Sequence, residues 1–101
     1  MSYDISLVHE VEDIDVGNMT YNVSPMFSDA LGHVFRDYDG KRAGDIIDEL
    51  LAGIEKMTAD PDRYKAKNPE NGWGSYEGAL AYLVRLYKAC LEYPESIVRV
   101  Y

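Results

Sequence analysis

The sequence predicts an α+β fold in which three helices pack against a small three-stranded sheet. Short runs of alternating apolar and polar residues stand near both ends of the chain, and longer runs with helical spacing lie between them. Proline, glycine and asparagine pairs separate these runs. The predicted element order is β-β-α-α-α-β. The simplest closure is an antiparallel or mixed sheet with the last strand beside an N-terminal one.

Length and composition indicate one domain, residues 1–101, of a cytoplasmic protein. The 101 residues suffice for one packed core, and 47% of them are hydrophobic, which argues against disorder. No apolar run approaches the roughly 18 residues of a membrane span, and no signal peptide is visible. Cys90 is the only cysteine, which excludes an intrachain disulfide.

Three stretches have the alternation of strands. Tyr3–His9 is the predicted first strand, and Met19–Val23 is the second, after a turn at Gly17-Asn18. The acidic run Glu10–Asp15 between them is either a hairpin arm or an exposed loop. The β-branched run Ile97–Tyr101 is the predicted third strand.

The first two helices follow the second strand. Ser24-Pro25 predicts a helix start, with serine as the N-cap and proline in the first turn. This helix should end before the turn at Asp39-Gly40. The second helix is predicted over Ala43–Thr58, and Asp62–Lys67 follows as a polar connector of at most one helical turn.

The third helix is predicted to begin at the N-cap Ser75 and to end at Tyr93-Pro94. Its apolar stripe comprises Tyr76, Leu80, Leu83, Tyr87 and Leu91, with Ala79, Leu86 and Cys90 beside it. The loop before it contains Trp73, the only tryptophan. We interpret Trp73 as a plug over one end of this helix, with a hot spot for a protein partner as the alternative.

No motif predicts catalysis, a metal site or a cofactor. His9 and His33 lack a partner at ligand spacing, and the acidic run lacks the glycine-centred pattern of a calcium loop. Nucleotide-binding glycine motifs and nucleophile motifs are absent from the sequence. Cys90 lies on the apolar side of the third helix, where a buried thiol is expected. We therefore predict a protein that is not an enzyme.

The charge is concentrated in the first half of the chain. The net charge is −8; residues 1–50 have eleven acids against three bases, whereas residues 51–101 have seven of each. Such a field repels nucleic acid and anionic membranes and attracts basic proteins. The alternative interpretation is that the acidic surface serves only solubility.

Three blocks of the sequence resemble small proteins of bacteriophages, prophages and other mobile elements. They are Tyr3–Leu7 (YDISL), Asn18–Phe27 (NMTYNVSPMF) and Asn68–Leu80 (NPENGWGSYEGAL), and the Asn-Gly-Trp-Gly segment is the most distinctive. The resemblance implies a phage-type protein that acts in the bacterial cytosol. It brings no catalytic residues with it.

The resemblance and the charge together suggest an inhibitor of the anti-CRISPR type. Its carboxylates would mimic nucleic-acid phosphates and bind a basic host protein such as a CRISPR effector subunit. The candidate contact residues are Glu10, Glu12, Asp13, Asp15, Asp29, Asp37 and Asp39, with Trp73 as a secondary candidate. The protein is expected to be a monomer or homodimer.

Two other functions remain open at this point. One is a phage accessory or structural protein that binds a phage partner through its aromatic loop, with acids that serve only solubility. The other is a small-molecule or metal-dependent activity that uses the acids and His9.

Overall fold

A computed structural model describes residues 2–9 and 12–101; for residues 2, 9, 12–15 and 21 it describes the backbone. The predicted α+β class and element order are confirmed. The elements are β1 (Ser2–His9), β2 (Glu12–Thr20), α1 (Ser24–Leu31), α2 (Ala43–Ala59), α3 (Pro61–Lys65), α4 (Tyr76–Glu92) and β3 (Ile97–Val100). The short helix α3 falls at the stretch predicted as a polar connector.

The sheet is antiparallel throughout, with the strand order β2-β1-β3. In the central strand, Tyr3, Ile5 and Leu7 are buried, whereas Asp4 between them is exposed. This alternation places one face of the sheet on the core and leaves the other toward solvent. The helices therefore cover a single face.

The second strand differs from its prediction. It was expected over Met19–Val23, but β2 begins at Glu12 and ends at Thr20, and a 3₁₀ turn follows. The expected turn at Gly17 lies inside the strand, at a shift of register opposite Ile5. Gly17 has a φ of +123°, so it accommodates a bulge and the strand continues. The part of the acidic run that the structure describes, residues 12–15, thus belongs to a hairpin arm.

The first helix ends before Asp39-Gly40, as predicted, but it begins differently. Gly32 adopts a φ of +83° and donates its N–H to the Ser28 carbonyl, which ends α1 at this point. Ser24 lies inside the helix and gives no N-cap bond; its Oγ is instead 2.7 Å from the hydroxyl of Tyr3. The Ser24 hydroxyl therefore makes a tertiary contact with Tyr3 and not the predicted N-cap hydrogen bond.

Helices α2 and α4 match their predictions closely and run antiparallel. The Ser75 hydroxyl accepts the N–H of Gly78 at 3.1 Å, as predicted for the N-cap. At one end of the pair, Tyr76 donates its hydroxyl hydrogen bond to the Met57 carbonyl at 2.7 Å. At the other end, the N–H of Gly44 donates to the carbonyl of Pro94.

The buried side of α4 is rotated from the predicted stripe. The buried residues are Tyr76, Ala79, Tyr82, Leu83, Leu86 and Cys90. Leu91, expected in the stripe, is 50% exposed. The rotation arises because α4 packs on the sheet as well as on α2, and the Tyr82 hydroxyl donates to the Gly17 carbonyl at 2.9 Å. Cys90 is buried as predicted, and burial raises the pKa of its thiol to about 12.

The outer edge of β3 is covered by the chain that leads into α2. Gly40 donates its N–H to the Val98 carbonyl, and Val98 donates to the carbonyl of Lys41, both at 2.8 Å. The N–H of Ala43 likewise donates to the Ser96 carbonyl at 2.7 Å. At the other side of the sheet β2 is the edge strand, and two of its carbonyls, those of Val16 and Gly17, accept hydrogen bonds from Arg85 and Tyr82 of α4.

Candidate functional site

The acids of the β1–β2 hairpin lie at the edge of the sheet. We call Glu10, Glu12, Asp13 and Asp15 the hairpin acids. Glu10 lies outside the described residues, and the other three belong to β2, with only their backbone described. Asp13 is in register with Val8, and Asp15 with Ser6. The sheet order thus brings three predicted contact residues to one edge strand.

Asp29 is held within the protein by two bases. Its carboxylate accepts hydrogen bonds from the Arg63 Nε and Nη2 atoms at 2.9 and 2.8 Å, and Lys67 Nζ is 3.4 Å away. The Arg63 bonds are the main reason that the pKa of Asp29 is lowered, while partial burial opposes the shift. Asp29 therefore joins α1 to α3, and its charge is balanced locally.

Asp37 and Asp39 are more exposed and also have partners. The Asp37 carboxylate is 3.7 Å from His33 Nδ1. Asp39 Oδ1 accepts the backbone N–H of Val100 at 3.0 Å and lies 3.7 Å from Arg99 Nε. These two acids border the β3 side of the sheet, whereas Glu12, Asp13 and Asp15 belong to β2 at its other side. The predicted acids that the structure describes are thus not one continuous surface.

A titratable cluster that the sequence did not predict lies between α1 and α2. Tyr38, in the 3₁₀ turn Phe35–Tyr38, donates to Glu49 Oε1 at 2.7 Å, and the same oxygen accepts a hydrogen bond from His33 Nε2. The other ring nitrogen, Nδ1, lies 2.7 Å from the Val34 carbonyl oxygen. Both nitrogens face acceptors, so the imidazolium form satisfies both contacts.

The pKa values of this cluster follow from the geometry. Burial lowers the pKa of His33, but its bonds to the Val34 carbonyl and Glu49 more than offset this and raise it overall. Burial raises the pKa of Glu49, yet the bonds from Tyr38 and His33 lower it overall. Burial, and then Glu49, raise the pKa of Tyr38 far above its ordinary value. The cluster links the turn Phe35–Tyr38 to α2. Both ring nitrogens of His33 are occupied by these contacts, so neither is available to a substrate.

A surface pocket of about 450 Å³ lies beside the Asp29 ion pair. It is lined by Asp29, Lys56, Ala59, Asp60, Arg63 and Tyr64. Its acidic and basic side chains are balanced, and Arg63 and Asp29 already bind each other. The arrangement has no strong preference for a charged ligand.

Trp73 is the most exposed large aromatic group in the described part of the chain, at 69%. The interpretation of Trp73 as a plug over the third helix is therefore wrong. The loop contacts the first turn of α4 through Asn68 instead, whose Oδ1 accepts the N–H of Tyr76 at 2.8 Å. The indole itself lies outside the core.

Residues 68–75 form the loop that contains Trp73, here called the tryptophan loop. Close contacts within the loop and with β2 hold it in place. The N–H of Trp73 donates to Asn71 Oδ1 at 2.9 Å. Gly74 has a φ of +103°, and a Cβ on it would lie 2.7 Å from Thr20 and 2.8 Å from Val23. This close approach anchors the loop to the end of β2, while the indole remains in solvent.

The described side chains hold no group of three histidine, cysteine or carboxylate residues that could bind a metal ion. The side chain of His9 lies outside them. In the part of the chain that the structure describes, no helix is long and apolar enough to cross a membrane.

Comparison with known proteins adds no relative. No family model, no curated protein and no solved structure matches this chain. The similarity of the three sequence blocks to phage proteins thus stays a prediction, and the function is inferred from the surfaces described above.

Proposed function

We propose that this chain is a binding protein that contacts a basic partner protein, with Trp73 as an anchor of the interface. The observation that carries the proposal is the exposed indole on an anchored loop. Tryptophan is strongly enriched among the few residues that dominate protein interfaces. An anchored loop loses little conformational entropy on binding, so more of the contact energy appears as affinity.

The charge supports a basic target. With a net charge of −8, the protein attracts lysine- and arginine-rich surfaces and repels nucleic acid. The phage resemblance supports a nucleic-acid-binding host protein, with a CRISPR effector subunit as the specific candidate. Carboxylates would compete there for the bases that hold phosphates. The hairpin acids are the proposed contacts, and Asp29 is left out because Arg63 and Lys67 balance its charge.

The two proposed contact regions are separated along β2. The tryptophan loop packs against Thr20 at the end of the strand, and Asp13 lies near its beginning. Seven residues of strand correspond to about 23 Å at the usual rise. The two regions are therefore distinct and can be altered independently.

A second candidate function also has support. Asp29, Asp37 and Asp39 are all paired within the protein, which is the expected state of acids that serve stability and solubility. In that case the chain is a phage accessory or structural protein that binds a phage partner through Trp73 alone.

Affinity capture tests both functions. The tagged protein is used as bait in a bacterial lysate that contains CRISPR systems, with and without added DNA, and bound proteins are identified by mass spectrometry. Capture of a basic nucleic-acid-binding subunit that DNA displaces supports the first function. Capture of virion proteins only supports the second, and capture of neither rejects both.

Variants then assign the contacts. Trp73→Ala should abolish capture in both cases, with the exposed Val34→Ala as the matched control. Replacement of all four hairpin acids by lysine should abolish capture only if the first function holds. Full capture by the lysine variant would show that the hairpin acids are not the contact surface.

A further inference from the structure

We propose that helices α2 and α4 together form a docking surface for a basic amphipathic helix of a partner protein. The surface, here called the α2–α4 face, consists of apolar residues that are half-buried or exposed: Ile47, Leu51, Ile54, Leu80, Tyr87 and Leu91. It involves neither the tryptophan loop nor the hairpin acids, and it does not rest on the function proposed above.

The spacing aligns these residues in two parallel rows. On α2 they stand at i, i+4 and i+7, and on α4 at i, i+7 and i+11, so each set follows one side of its helix. The contacts of Tyr76 with Met57 and of Gly44 with Pro94 hold the two helices side by side at both ends. The proposed groove lies between these two rows.

The groove is distinct from the core beneath it. The inward sides of the two helices are already filled by fully buried residues: Leu50, Met57, Leu83 and Leu86. The α2–α4 face forms a shallower layer above them, in which Leu51 is 38% and Leu91 is 50% exposed. Two exposed leucines at the border of one groove provide apolar area that a partner could bury.

The charges at the rim of the groove favour a basic partner. Asp48 and Glu55 on α2 and Glu77 on α4 flank the apolar rows, with Lys88 as the nearby base. The described residues place none of these three acids in an ion pair, in contrast to Asp29, Asp37 and Asp39. Their carboxylates are thus positioned to pair with lysine or arginine on an incoming chain.

A helix is the occupant that fits the shape and the charge. Two adjacent helices present a groove into which the side-chain ridge of a third helix packs. The distance from Leu80 to Leu91 along α4 is about 16 Å, which equals roughly three turns of a partner helix. A second copy of this chain fits less well, because its acidic rims would face the same acids across the interface.

Designed peptides test the proposal. The first peptide is a helix of about 14 residues, roughly four turns, with leucine at i, i+3, i+4 and i+7 and flanking lysines. A matched peptide keeps the leucines and has glutamate in place of each lysine. Binding is measured by fluorescence anisotropy and mapped by amide chemical shifts. We expect the lysine peptide to bind and to shift α2 and α4 resonances. The double variant Leu51→Ser/Leu91→Ser should weaken this binding at least about tenfold.

The controls keep the proposal falsifiable. Val34→Ser, another exposed apolar position, should leave the affinity unchanged, and unfolding curves show that each variant folds. Equal binding of the glutamate peptide, shifts outside α2 and α4, or no effect of the double variant would overturn the proposal. The proposal would also be overturned if the protein bound no peptide but self-associated, and if the double variant abolished that self-association. Trp73→Ala should retain peptide binding, so this proposal and the proposed function fail separately.

Discussion

The hydroxyl of Tyr38 donates a hydrogen bond of 2.7 Å to Glu49, and this contact joins the turn after α1 to the middle of α2. The same carboxylate oxygen accepts a bond from His33, so one acid holds two side chains of the connecting segment. The cluster is only partly buried at Glu49 and His33, whereas Tyr38 is fully buried.

Removal of the Tyr38 hydroxyl should destabilise the fold. Tyr38→Phe keeps the ring in the core and deletes one hydrogen bond to a charged acceptor, so we expect the free energy of unfolding to fall by about 1–3 kcal/mol. Urea denaturation measures this. Tyr101→Phe is the matched control, because that residue is exposed. Equal effects of the two changes would contradict a stabilising role for the Tyr38–Glu49 bond.

The His33–Glu49 contact should make stability depend on pH. The pKa of His33 is raised, so its contribution is full below the ordinary value of 6.5 and is lost as pH rises through the raised value. The pKa of Glu49 is lowered, so its contribution is full above 4.5 and is lost as pH falls through the lowered value. The contact should therefore stabilise most between those two ordinary values.

His33→Gln reveals this dependence. The difference in unfolding free energy between the wild type and the variant should be largest near pH 5.5, between the two ordinary pKa values, and should decrease toward alkaline pH. Urea denaturation across this range is the measurement. A difference that stays constant with pH would show that the imidazolium form is not stabilised in the folded state.

Two glycines of the tryptophan loop should respond differently to alanine. Both have positive φ, at +78° for Gly72 and +103° for Gly74, but only at Gly74 would a Cβ strike neighbours, Thr20 and Val23. We expect about 1 kcal/mol of destabilisation for Gly72→Ala and at least about 2 kcal/mol for Gly74→Ala. Denaturation of the two variants gives the comparison. The reverse order would contradict the packing of the loop on β2.

The exposure of Trp73 is directly measurable, because it is the only tryptophan. Its fluorescence should be quenched by acrylamide, a neutral quencher that the net negative charge does not repel, almost as efficiently as that of a tryptophan in a short peptide. Trp73→Ala should change the free energy of unfolding by no more than about 0.5 kcal/mol. Strong protection from acrylamide, or a large loss of stability, would place the indole in the core after all.

Features with a local cause were predictable from the sequence. The start of α4 depends on a serine and an N–H three residues away, and α2 follows from apolar spacing within one continuous segment. The order of elements and the burial of Cys90 followed from the same patterns. Among the candidate contacts, the hairpin arm was one of two alternatives for the acidic run, and the structure selects it for Glu12, Asp13 and Asp15, which pair with the first strand.

The sequence by itself therefore determined the α+β class, helices α2 and α4, and the excess of negative charge. The tertiary structure decided which strands continue and which side chains are paired or exposed. Gly17 continues a strand because the bulge lies against α4, and Asp29 loses its role as a contact because Arg63, remote in sequence, binds it. Trp73 is exposed because Gly74 takes the packed position against Thr20 and Val23. In each case the deciding partner lies many residues away, where periodicity and spacing hold no information.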